Sequence, residues 1–170
     1  MTSAAGFLPR IPGKTGVLLD VSRAMFEKGK GDKDMLLVDR GAFLCALLRS
    51  TCVAMEVATY SDEVQLLRHP HPFGDALMTS LIESQDHEGA NLAQAVTLLT
   101  QAFPDLDRLV VVSNEAAREG FAAPLHLETA LVNVGAYAPG GTWMGRISLL
   151  SGYSGGVVRW LAQNAVARVD

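Results

Sequence analysis

The chain has 170 residues, 49% of them apolar and 19% charged, with a formal net charge of −4. A chain of this length buries roughly two thirds of its unfolded surface, so one compact core is expected without disulfide or metal staples. No run of ~18 apolar residues is present to cross a bilayer, and without a dense Lys/Arg stripe the chain has little electrostatic reason to hold a nucleic-acid backbone directly.

In chain order, residues 1–15 contain Gly, Pro and Ser but no basic start followed by a long apolar run. They are expected to form an N-terminal tail rather than a secretory signal. Val17 to Val21 is a short apolar run ended by polar residues, the pattern of a strand buried on both faces, and is expected to be the central strand. Glu27 to Asp34 reads as a loop. The apolar residues from Met35 to Leu48 recur at helical spacing. Cys52 to Tyr60 and Val64 to Leu67 flank Ser61-Asp62-Glu63 and read as an antiparallel hairpin. After Pro70 and Pro72, Phe73 to Ile82 reads as a short helix, Glu83 to Gly89 as a polar loop, and Asn91 to Phe103 as a helix capped by Asn91. Arg108 to Val112 is a second buried strand, followed by Ser113-Asn114-Glu115. Thr129 to Tyr137 and Ile147 to Leu150 supply two more strands around the Pro139-Gly140-Gly141 turn, and Gly155 to Ala167 closes the chain as a helix.

Strands alternating with helices predict an α/β fold: a Rossmann-like, doubly wound, mainly parallel sheet with one antiparallel edge strand and helices on both faces. Residues 16–170 would form this single domain. In such sheets ligands bind at the carboxyl ends of the strands, where strand order reverses. Asp20 and Asn114 are both expected there. Asp20 and Ser22, two residues apart at a strand end, can turn their oxygens toward one point, which is the beginning of a divalent-cation site.

Three segments in order resemble von Willebrand factor type A (vWA) domains. Asp20-Val21-Ser22-Arg23-Ala24 resembles their Asp-x-Ser-x-Ser segment. Glu88-Gly89-Ala90-Asn91-Leu92 is similar to the Gly-Thr-Asn-Leu turn that opens a helix, and Val110-Val111-Val112-Ser113-Asn114-Glu115 to the strand that ends in Thr-Asp. Within that family Thr59 to Glu63 and Leu150 to Leu161 look like the hairpin and last helix of the vWA part of Ro (TROVE) proteins. The resemblance implies a metal-ion-dependent adhesion site that holds Mg²⁺ or a similar ion and takes a partner's carboxylate, so the implied activity is binding rather than turnover.

Carried over position by position, Asp20 and Ser22 match, and Asn114 stands where the family has Asp. Ala24 and Ala90 replace hydroxyl ligands. Losing one carboxylate costs ~1–3 kcal/mol of ion affinity, so divalent-cation binding is expected to be weak or lost. Asp86, Glu88 or Glu115 would have to turn inward to compensate. The expected partner is another protein at the carboxyl-end face, meeting Arg23, Glu88, Asn91 and Glu115.

Two other classes fit the sequence less well. A phosphoryl-transfer enzyme using Asp20 as nucleophile would normally carry Asp-x-Asp, whereas Ser22 holds the second place. A Ro-like ribonucleoprotein component would contact RNA only indirectly. Gly13-Lys14-Thr15 precedes a strand instead of following one and lacks the first glycine of a P-loop. His69-Pro70-His71-Pro72 with His87 reads as a surface loop, not a zinc set. Gly152-Tyr153-Ser154-Gly155-Gly156 leaves no room downstream for a catalytic acid and His, and reads as a helix cap. Trp143 and Met144 fit exposure and burial equally. Cys45 and Cys52 read as small buried hydrophobes in a reducing compartment, so a cytoplasmic location is expected.

Overall fold

The computed structural model describes residues 7–29, 34–68, 74–114, 122–135 and 146–166. Its strands are β1 (Ile11–Asp20), β2 (Cys52–Tyr60), β3 (Val64–Leu66), β4 (Arg108–Ser113), β5 (Glu128–Asn133) and β6 (Ile147–Ser151); its helices are α1 (Leu37–Thr51), α2 (Gly74–Ile82), α3 (Leu92–Ala102) and α4 (Gly155–Val166). They build a six-stranded sheet of order β3-β2-β1-β4-β5-β6. Every pairing is parallel except β2 with β3, which is the antiparallel hairpin at one edge. The expected α/β sheet with one antiparallel edge strand is therefore the one observed.

The period of two along each strand divides the core. Val17 and Leu19 of β1, Val57 of β2, Val110 and Val112 of β4 and Val132 of β5 point to the face covered by α1, α2 and α4. Leu18, Ala58, Leu109, Val111 and Leu131 point the other way, onto Leu92, Ala95, Val96 and Leu99 of α3. Strands buried on both faces have no polar side to show, which is why β4 and β5 are buried at every residue. Gly41 lets α1 approach β1 closely: a Cβ there would lie 2.6 Å from Leu19 Cδ1.

Three elements differ from the sequence reading by more than one residue. The first strand begins at Ile11, so residues 11–15, expected in the tail, belong to the sheet and the 15/16 boundary falls inside a strand. Gly13 disguises this segment. Its φ of 77° breaks the regular register between Ile11 and Lys14, and only a residue without Cβ takes that conformation cheaply. Gly13-Lys14-Thr15 is accordingly strand. The second difference is at β5, which stops at Asn133 where the sequence suggested Tyr137; the Asn133 Oδ1 accepts the Gly135 N–H at 2.7 Å, a local turn that competes with the ladder. Third, α1 starts at Leu37 and runs to Thr51, where Met35 to Leu48 was expected.

Candidate functional site

Strand order reverses between β1 and β4. β1 lies against β2 on one side and β4 on the other, with Asp20 opposite Tyr60 and Leu19 opposite Val112. One step further along β4 is Ser113. Residues in register in a parallel sheet point to the same face, so Asp20, Tyr60 and Ser113 gather on the α3 side at the carboxyl end of the central strands.

The carboxylate of Asp20 is 1% exposed. Its Oδ1 accepts the Ser22 N–H at 2.8 Å and its Oδ2 accepts the Ser113 hydroxyl at 2.8 Å. The Tyr60 hydroxyl, fully buried, faces the same carboxylate without meeting hydrogen-bond geometry. Burial pushes the Asp20 carboxyl above its ordinary value, and the polar contacts of Ser22, Ser113 and Tyr60 pull it part of the way back. Burial likewise raises the Tyr60 phenol, and the charge of Asp20 adds to the rise.

Above this floor lies a cleft of about 230 Å³ lined by Asp20, Ser22, Arg23, Ala24, Glu88, Gly89, Ala90 and Asn114. Three loops make it. Arg23–Phe26 forms a single 3-10 turn after Ser22. The Asn114 amide donates to the Ala24 carbonyl at 3.2 Å and so ties that turn to the end of β4. The Gly89 loop is fastened by Ser61, whose hydroxyl donates to the Gly89 carbonyl at 2.9 Å and whose own carbonyl accepts the Asn91 N–H at 3.0 Å. His87 completes the frame: its Nδ1 lies 2.7 Å from the Val21 carbonyl and its ring packs on Phe26 at 4.3 Å between centroids.

The structure thus brings together Asp20, Ser22, Arg23, Ala24, Glu88, Ala90 and Asn114. Asn91 does not line the cleft; its Oδ1 accepts the Gln94 N–H at 3.1 Å as the N-cap of α3. Glu115, Trp143, Met144 and the His69 to Pro72 run lie outside the described residues. Sequence reasoning put Ser113 at the strand end of the third vWA-like segment but did not pair it with Asp20, and it missed Tyr60 and His87 as parts of the site. Register carries the signal for Tyr60 and Ser113, and it is set only once β1 is known to pair with both neighbours. Beyond Glu88 a larger cleft of about 500 Å³ is lined by Asp62, Glu63, Glu83, Asp86 and His87 among others. Among the described residues no group of three or more His, Cys, Asp or Glu side chains is arranged to hold a metal ion.

An open, mainly parallel sheet of this order, with its cleft where the strand order switches, defines the class: the chain has a vWA-like fold. In particular, it is similar to the Ro (RSR) protein of Deinococcus radiodurans, with a TM-score of 0.65 and 13% identity, over 95% of this chain and 36% of that one. The chain therefore spans little more than a third of the Ro chain. It is also similar to an aerotolerance-related membrane protein of Bacteroides fragilis (TM-score 0.51, 13% identity, 71% and 67% of the two chains), and more distantly to the SpRpn10 VWA domain (TM-score 0.42, 10% identity, 89% and 94%). At these identities the likeness is one of fold. No protein-family model and no curated protein matches the sequence. No described helix is long and apolar enough to cross a membrane.

Proposed function

We propose that the chain is a non-enzymatic vWA-like interaction module that receives another protein at the carboxyl-end cleft, with the family's metal site weakened or lost. The observation that carries this reading is the donor set around Asp20. Among the described residues it is the one carboxylate on the floor of the cleft, and both its oxygens already accept hydrogen bonds from the protein. Ala24 and Ala90 offer methyl groups where a hard ion needs oxygen, and Asn114 lends a neutral amide. Mg²⁺ demands near-octahedral oxygen ligation and anionic charge, and this set fits it poorly. With both oxygens of Asp20 engaged by protein donors and Ser22 where a second acid would stand, the enzyme reading has little support.

Arg23 and Glu88, both exposed at the rim of the cleft, are the side chains a partner protein would meet first. The acidic cleft beside them disfavours a nucleic-acid backbone at this face. Any place in a Ro-like ribonucleoprotein would be indirect, and the reading includes a cytoplasmic location. The ion is tested by titrating Mg²⁺ and Mn²⁺ into the protein while following thermal melting. The expected shift at millimolar ion is under about 1 °C, because a ligand stabilises a fold only as far as it is bound. A rise of several degrees that Asp20→Ala abolishes would overturn the lost-site reading. The docking face is tested separately by the paired rim variants Arg23→Glu and Glu88→Lys in a co-purification from the native source. Proteins retained by the wild type and lost by the variants support it, and identical sets with and without the substitutions refute it.

A further inference from the structure

A third concavity lies at the opposite end of the molecule. It is an open trough of about 480 Å³ lined by Pro9, Arg10, Arg159, Ala162 and Gln163, within the ~300–1,000 Å³ range of ligand clefts. Arg10 immediately precedes β1, whereas Asp20 ends it, so the ten residues of that strand separate the two sites by about 30 Å at ~3.3 Å per residue. Arg159, Ala162 and Gln163 stand three and four apart and therefore share one face of α4. The floor is apolar, and the chain leading into it exposes an aromatic ring, Phe7, to 87%.

The chain carries more acidic than basic residues, 18 against 14, yet neither guanidinium at this trough is in a salt bridge with a described residue. Two unpaired arginines over an apolar floor suit one kind of ligand. Guanidinium is weakly hydrated and gives up water more readily than an ammonium, and its planar fork binds a carboxylate through two parallel hydrogen bonds. The acidic cleft at the far end would repel an acidic ligand, which steers it toward this end.

We propose that the trough docks an acidic, apolar segment of a partner protein, its carboxylates held by Arg10 and Arg159 and its apolar side chains laid on Pro9 and Ala162. This surface is independent of the carboxyl-end cleft. The test uses the full chain and two fluorescent synthetic peptides, one of mixed Glu and Leu and its counterpart with Lys in place of Glu, followed by anisotropy. The Glu peptide is expected to bind at least about tenfold more tightly than the Lys peptide. Arg10→Glu or Arg159→Glu should each weaken it about tenfold, Arg159→Lys less, since an ammonium lacks the fork. Asp20→Ala should leave the affinity unchanged, so failure here is distinguishable from failure of the docking face at the cleft. Equal binding of the two peptides, or no effect of Arg159→Glu, would overturn the proposal. So would a roughly tenfold gain on deleting residues 167–170, which would make the chain's own end the occupant, or a self-association that Arg159→Glu abolishes, which would make it a second copy.

Discussion

At the scale of single residues the decisive group is Asp20, and its ionisation has a sign that can be measured. Its folded-state pKa lies above the ordinary 3.8 because burial disfavours the charge, so folding penalises the ionised form. The penalty is full above the raised value and disappears as pH falls to the unfolded value and below. Asp20→Asn keeps an acceptor for the Ser22 N–H and gives Ser113 a donor instead of an acceptor, a reversal the hydroxyl accommodates by rotating. The variant should therefore be more stable than the wild type by about 1 kcal/mol at neutral pH, with the advantage closing at about pH 4. Urea unfolding at both pH values measures it; an advantage that widens on acidification would contradict the assignment. Part of this site was legible in the sequence. A polar residue that ends an apolar strand points to the sheet edge wherever the strand lies, and that logic found Asp20, Ser22 and Asn114. The contacts of Tyr60 and Ser113 with Asp20 were not legible in this way, because they depend on which residues stand opposite Asp20.

At the scale of elements, two substitutions separate capping from packing. Asn91 was expected both to cap α3 and to meet a partner, and the structure supports the cap: Oδ1 accepts the Gln94 N–H. Asn91→Ala should cost about 1 kcal/mol in chemical unfolding and leave any partner bound at Arg23 and Glu88 in place; loss of that partner without loss of stability would reverse the assignment. Gly41→Ala sets two effects against each other. Alanine favours the helix by ~1 kcal/mol over glycine, but its Cβ would press on Leu19 Cδ1 at 2.6 Å and Val112 Cγ1 at 3.4 Å, and overpacking costs ~1–3 kcal/mol. Net destabilisation of about 1 kcal/mol is expected, and a stabilised variant would mean that α1 moves freely over the sheet. The elements that could be read from sequence are those whose pattern is local. β4 is a continuous β-branched run and α3 has a capping Asn. The first half of β1 hides behind Pro12 and the Gly13 bulge, and the end of β5 is set by the Asn133 side chain while apolar residues continue beyond it.

At the scale of the whole molecule, one sheet presents two ends of unlike character, an acidic cleft where the central strands finish and an arginine-rimmed trough where they begin. The two cysteines report on how this sheet comes apart. Cys45 is fully buried in α1 against the sheet, and burial alone pushes its thiol up to about 12. Cys52 opens β2 at the arginine end with 6% exposure; burial raises its thiol too, with Thr15 and the charges of Arg108, Arg10 and Arg49 opposing the rise. Only a thiolate reacts with an alkylating agent, so both should be silent in the native state and react through openings. Strand ends fray at lower free energy than cores open. Cys52 should accordingly be modified at least about tenfold faster than Cys45, while Cys45 follows the global unfolding equilibrium and accelerates with urea along the same slope. Mass spectrometry of timed iodoacetamide reactions distinguishes the two sites. If Cys45 reacted first, α1 would be leaving the sheet before the amino end of β2 frays, and the core shared by α1, α2 and α4 would not be the last part of the fold to yield.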